Sequence, residues 1–455
     1  MLTVILISAP AFAEVNFSGG ANLRIWHEYW RNFTDLADEV DTVTTQDNLN
    51  LFKIKTSLWG QADFDKNTSL YAKLSNENMA YTYFGGTSDA YPDKQPDKKG
   101  YHYNINEVFF ENLYSDVRNF LDMPLDLRIG RQDLAGEYGE GFLIMDGTPR
   151  DGPRSVYFNA AKASWRVNDK NTVDILYIND PRTDQFLPVI NRDKLVDYRN
   201  GYKMDGQFLN RTDEQGYVLY LKNKAVKNLN LEGYYIFKRE SQEDGIGPYS
   251  SEKTLLNTIG SFAAYNFAPY TLRAQLAGQW GSYGKEDRTG LGGYIYLDRE
   301  IIELERWSPK VTLGWLYLSG DDRKTNKQEG WDPLFSRWPL ISELYLFTIA
   351  SETAIPAYWT NLQCLRAQAS FKPTVKSQVT LGYNYLRAVE AVPSSAGSMF
   401  SGNSKDRGQL PQARFDYTLN KHTNVFFLAE YFIPGRFYAN DDDAMLLRTG
   451  LEVAF

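Results

Sequence analysis

From Phe17 onward the chain consists of segments of about ten residues in which apolar and polar side chains alternate, and this constrains the fold most. Leu125-Asp-Leu-Arg-Ile-Gly is one such segment and Tyr270-Thr-Leu-Arg-Ala-Gln-Leu another. Val379-Thr-Leu-Gly-Tyr-Asn-Tyr and Ala413-Arg-Phe-Asp-Tyr-Thr-Leu repeat the pattern. A period of two belongs to strands with one apolar and one wet face. The apolar face is rich in Leu, Ile, Phe and Tyr, too greasy to be the water side of a two-sheet sandwich.

Composition sharpens this reading. The formal net charge of −8 looks soluble, and no window holds the ~20 apolar residues that a membrane-spanning helix needs. Yet aromatics make up 15% of the chain, with 31 Tyr, 26 Phe and 10 Trp. A transmembrane β-barrel reconciles the two: alternate residues meet lipid, the others meet water, and aromatics gather at both interfaces.

The connections support the same fold. Short ones fall at 65–67, 168–171, 226–228, 268–269, 373–374 and 420–422. Long ones fall at 31–48, 85–100, 135–155, 181–213, 239–253, 320–357, 390–408 and 434–443. Taking turns, they match tight periplasmic turns and extended outer loops in an antiparallel up-and-down barrel of about eighteen strands. Residues 114–124 fall on the short side with Val117, Phe120 and Leu121 at helical spacing, which predicts one helical turn. Strand assignment is least regular at 291–307. The last segment sets Leu447, Thr449, Leu451, Val453 and Phe455 on one face and Arg448, Gly450 and Glu452 on the other. A terminal aromatic behind alternating apolar residues resembles the signal read by barrel-assembly machinery. At the other end, Leu2 to Ile7 is apolar and Ala11-Phe12-Ala13 fits a leader cleavage site. The expectation is a signal peptide over 1–13, truncated at its basic end, and one outer-membrane barrel domain over 14–455.

If the apolar face looks at lipid, the other lines the lumen. Alternation then places Arg24, Lys53, Lys55, Lys73, Arg128, Lys162, Arg166, Arg273, Arg366, Arg387, Arg414 and Arg448 inside. Glu28, Glu77, Glu107, Glu111, Asp126, Glu232, Asp416, Glu430 and Glu452 join them. Each charge alone is best explained as one half of a structural pair. Together the bases outnumber the acids, which predicts an electropositive lumen that attracts anions, with the excess acid in loops such as 321–322 and 441–443. Trp26, Trp59, Tyr234 and Tyr294 fall on or near the polar face, as filling or as surfaces for sugar rings. Trp331, Trp338 and Trp359 make 320–357 too apolar for a loop in water, so it and 135–155 are expected to fold inward.

Catalytic and metal chemistry find little support. The single Cys364 excludes an internal disulfide, and His27, His102 and His422 are far apart. Ser57 and Ser75 have no histidine in obvious reach, and Gly139-Glu-Gly and Asp146-Gly-Thr are motif fragments without their strand–loop–helix context. No enzyme activity, cofactor, metal or nucleic-acid partner is expected.

The segment Leu127-Arg-Ile-Gly-Arg-Gln-Asp resembles the alginate export family of outer-membrane porins, which carries R-x-G-R-Q followed by a loop with Gly and acidic residues. Here that loop is Gly136-Glu-Tyr-Gly-Glu-Gly, then Asp146-Gly-Thr-Pro-Arg-Asp-Gly. Leu23-Arg-Ile-Trp-His-Glu-Tyr-Trp and Phe52-Lys-Ile-Lys-Thr-Ser also look like the start of that family. The resemblance implies an eighteen-stranded porin with a basic lumen that passes an alginate-like polyuronate, and it carries over Arg128, Arg131 and Gln132. Strict alternation sets Arg131 on the Leu127/Ile129 face, toward the rim. The expected partners are outer-membrane lipid and lipopolysaccharide, an anionic polysaccharide or small anionic solutes, and a periplasmic export partner. Two other readings stay open: a general anion-preferring porin, and a closed docking barrel that binds a partner through its outer loops.

Overall fold

The computed structural model describes residues 15–37, 48–82, 101–103, 108–145, 157–182, 184–190, 212–241, 252–353, 355–397 and 399–455. The expected leader at 1–13, Glu107, and the outer segments 85–100 and 146–155 lie outside them.

Eighteen long antiparallel strands close on themselves. In chain order they are β1 (Asn16–Arg31), β2 (Leu49–Asp63), β3 (Thr68–Thr82), β4 (Val108–Val117), β5 (Leu125–Gln132) and β6 (Phe158–Asn168). Then come β7 (Asn171–Asp180), β8 (Glu214–Asn223), β9 (Leu229–Glu240), β10 (Thr254–Phe267), β11 (Tyr270–Tyr283) and β12 (Glu286–Glu300). The circuit ends with β13 (Lys310–Leu318), β14 (Leu362–Thr374), β15 (Ser377–Arg387), β16 (Asp406–Asn420), β17 (Thr423–Pro434) and β18 (Ala444–Ala454). β18 pairs with β1, setting Arg448 opposite Glu28 and Glu452 opposite Arg24. Among the described residues the circuit of eighteen strands has no open edge, which is what allows strands to cross lipid.

Side chains sort by face as the alternation predicts. Leu58, Ile129, Ile175, Ile259, Leu276, Leu313 and Leu365 stand outward and exposed. So continuous an apolar surface is costly in water and at home in a bilayer. Trp165, Tyr265 and Phe267 ring it near one end, and Tyr177, Tyr217, Trp280 and Tyr431 near the other. These are the two interfacial girdles of a membrane barrel. No helix among the described residues is long and apolar enough to cross a membrane.

The tight turns share one device, a short polar side chain accepting a nearby backbone N–H. Asp65 accepts from Asn67 N (2.7 Å) and Thr68 N (2.9 Å), and Asn168 from Lys170 N (3.0 Å). Asn223, Asn266 and Asn420 serve Ala225, Ala268 and His422 in the same way. The expected helical turn is the 3-10 turn Phe120–Asp122. The rhythm inverts once, in the irregular region. The outer link from β11 to β12 is only Gly284 and Lys285, with Gly284 at φ +58°, whereas the inner link to β13 carries the 3-10 turn Ile302–Trp307. Glycine's freedom at positive φ is what makes so short an outer turn available.

Candidate functional site in the barrel lumen

Two outer connections fold into the bore and meet there. Residues 134–145 follow β5, and 320–361 link β13 to β14. Phe335 and Ser336 pair in parallel with Ile144 and Met145, Phe335 N donates to Leu143 O (3.0 Å), and Trp338 Nε1 donates to Gly141 O (3.1 Å). The first segment turns at its tip because Gly139, Glu140 and Gly141 all take positive φ, a run that needs glycines. The Gly-rich motif thereby delivers Glu140 onto the far wall. There it takes Arg273 (2.8 Å) and the Tyr294 hydroxyl (2.9 Å).

Wall glycines receive the plug's aromatic rings. A Cβ on Gly292 would fall 2.6 Å from the Trp331 ring, and one on Gly216 would fall 2.6 Å from Phe335. Phe142 stacks on Trp331 at 5.4 Å. A side chain at either position would have to displace the plug ring packed there.

Buried charge supplies the remaining anchors. Lys238, fully buried, donates to Leu334 O (2.9 Å) and faces Glu214 (3.6 Å), Asp332 (3.8 Å) and Glu240. Arg288 meets Asp332 at 3.0 Å and Tyr358 Oη at 2.7 Å. Burial works to raise the Asp332 pKa, but Lys238 and Arg288 prevail and hold it down at about 2. Glu430 accepts from Leu344 N (2.8 Å) and Ser342 Oγ (2.5 Å), and Arg407 holds Glu352 and donates to Asn361 O (3.0 Å). At the seam, Arg448 bonds Glu28 (2.6 Å) and reaches Glu343 (3.4 Å), while Lys53 meets Glu28 at 2.7 Å.

Arg24, Lys53, Lys55, Lys73, Glu111, Arg128, Lys162, Arg166, Arg273, Arg366, Arg414 and Arg448 alternate in step with the inward, buried positions of their strands. Lys55 joins Glu77 (2.9 Å) and Glu111 (2.8 Å), and Lys73 also meets Glu111 (3.1 Å). Arg128 pairs with Asp116 (2.7 Å), Lys162 with Glu137 (2.5 Å), Arg273 with Asp298 (2.8 Å) and Arg414 with Asp416 (2.8 Å). Arg166 pairs with Asp126.

Arg387 differs from the lumen assignment, whereas Arg131, carried over with Arg128 and Gln132, stands at the rim where strict alternation sets it. Arg387 is exposed and its neighbour Leu386 buried, so the arginine points away from the bore. Arg131 pairs in register with Leu113 and Asn159, on the outward face. There it is buried against Asp184 (2.7 Å) of the β7–β8 connection, under the Tyr157 ring (3.9 Å). Gly130, at φ +128°, cannot be replaced freely, because a Cβ would fall 2.2 Å from Leu113 O. Gln132 is fully buried and donates to Ala160 O (3.0 Å). The R-x-G-R-Q segment therefore shapes the rim, and of its members only Arg128 faces the hydrated bore.

Sequence reasoning missed Lys222, Lys238, Arg288 and Arg407, and the carboxylates Asp116, Asp174, Glu214 and Asp298 that partner wall bases. The aromatics are tied in as well: Trp26 is sandwiched by Arg24 (4.1 Å) and Arg448 (4.6 Å), and Tyr234 stacks on Tyr220 (5.2 Å). The periplasmic half of the bore is the wetter part, with Arg128, Lys162, Lys222, Arg273, Arg366 and Arg414 partly exposed on six strands.

Residues 21–451 match the family model described as Alginate export. Among solved structures the barrel is similar to Pseudomonas aeruginosa OpdK with vanillate: TM-score 0.55, 9% identity, covering 96% of this chain and 98% of that one. P. aeruginosa OccK2 (OpdF) in complex with glucuronate gives TM-score 0.54 at 11% identity, covering 97% and 98%. P. aeruginosa OccK5 (OpdH) gives 0.53 at 11% identity, covering 96% and 98%. At such identities the likeness is one of fold. Among curated protein sequences none matches this chain.

Proposed function

The chain belongs to the alginate export family, and on that premise we propose that it passively conducts an anionic polysaccharide, of the polyuronate class, across the membrane. It is a porin of the Gram-negative outer membrane. The observation that carries the proposal is the set of partly exposed cations on β5, β6, β8, β11, β14 and β16, surrounding the bore below the plug. Guanidinium and ammonium groups around a pore favour anions, and a low-dielectric wall strengthens their field. Their carboxylate partners temper that field without removing the N–H donors a passing carboxylate needs. The glucuronate bound to OccK2, a channel of the same fold, is a carboxylated sugar of this class. No step of this function asks the protein for bond chemistry.

Vesicles loaded with a fluorescent oligouronate or a neutral glucose oligomer of equal length test the proposal. The oligouronate should escape at least about tenfold faster through the protein. Equal escape of both would favour a general small-solute porin. Retention of both, even without residues 320–357, would favour a closed docking barrel.

A further inference from the structure

Arg366 differs electrostatically from the other cations placed on the lumen wall. Its lateral partners across the sheet are Gly314 on β13 and Asn384 on β15, and Cys364 and Gln368 flank it on its own strand face, all uncharged. Among the described residues its side chain makes one hydrogen bond, to Gln368 Oε1 (2.6 Å), and no carboxylate lies within ion-pair distance. A guanidinium offers five N–H donors in a planar fork that matches a carboxylate. Most of that fork is free, and the side chain is partly exposed to the bore.

An aromatic ring stands beside it. Register places Arg273, Tyr296, Gly314 and Arg366 in one row across β11 to β14. The Tyr296 ring leans over Gly314, where a Cβ would fall 1.8 Å from its Cδ1, so it occupies the space next to Arg366. Tyr294 stacks on Tyr296 at 4.8 Å and donates its hydroxyl to Glu140 of the plug, so the row lies just on the periplasmic side of the plug.

We propose that Arg366 and Tyr296 form a subsite for one uronate residue, Arg366 taking the sugar carboxylate and the open edge of the Tyr296 ring, whose faces meet Tyr294 and Arg273, lying against the pyranose ring. This rests on the polyuronate reading above and adds to it a place where the chain pauses before the plug. An uncharged sugar would meet the ring but leave the fork unused, so the subsite discriminates by charge.

Block of single-channel current by an oligouronate added from the periplasmic side tests this, with a neutral glucose oligomer as comparison. Losing a charge-assisted bidentate contact in Arg366→Gln should raise the half-blocking oligouronate concentration about tenfold, with block by the neutral oligomer unchanged. Tyr296→Leu should weaken block by both sugars, and Tyr296→Phe should behave as the parent. Arg387→Gln, outside the bore, serves as control, and migration without boiling reports that each barrel has folded. Undiminished block in Arg366→Gln, or equal weakening in Arg387→Gln, overturns the subsite while leaving the channel reading intact. A parent channel that no oligouronate blocks overturns both.

Discussion

Lys238 is the anchor whose removal should change the channel most. Its ammonium lies fully buried between the wall carboxylates Glu214 and Glu240 and the plug's Asp332 and Leu334 carbonyl. Lys238→Met keeps the apolar stem and deletes the charge. Removing one partner of a buried ion pair costs about 3–5 kcal/mol. Arg337 still holds Glu214 and Arg288 still holds Asp332, so the lower end applies. Because Asp332 and Leu334 belong to the plug, that cost falls on the plugged state. At about 1.4 kcal/mol per tenfold, plug release should become on the order of a hundredfold more frequent. Single-channel recordings in planar bilayers would show this as more frequent high-conductance events. An unchanged event frequency, from protein that still migrates as a folded barrel, would refute the claim that buried charge latches the plug.

Three further outcomes follow from the geometry. Gly130→Ala forces a Cβ toward Leu113 O at positive φ, and should cost about 1–3 kcal/mol, seen as a lower temperature for loss of folded migration. Arg131→Ala takes the guanidinium from buried Asp184 and should speed proteolysis at residues 184–190 while leaving the anion-to-cation permeability ratio unchanged; a changed ratio would return Arg131 to the lumen. Asp332 titrates below the ordinary carboxylate range, so its contribution to the plugged state is complete above that range and is lost as pH falls toward about 2. Event frequency should therefore stay flat from neutral pH down to about 5 and rise only below about 4; a rise already near neutral would assign the latch to another group.

How much was legible depended on the range of the interaction. Alternation is local, and it identified the faces of strands such as β1, β14 and β18, whose Arg24, Arg366 and Arg448 stand as assigned. Turn chemistry is local too, from Asp65 to Asn420. The tryptophans of 320–357 marked an infolded loop, because that much apolar surface cannot stay in water. Cross-strand pairing was not legible, since register joins residues as far apart as Glu28 and Arg448. Without register, alternation does not reveal Asp116, Asp174 and Asp298 as partners, and it makes the wall more basic than the paired structure is. Gly284, with its positive φ, closed an outer turn where the loop rhythm called for a long one.

We propose a plugged barrel whose hydrated cations favour anions. The zero-current potential across a planar bilayer under a potassium chloride gradient tests it most directly. The potential should carry the sign of an anion-preferring channel, and removal of residues 320–357 should keep that sign and enlarge the conductance. A potential of cation sign, or no current from the channel without those residues, would contradict it.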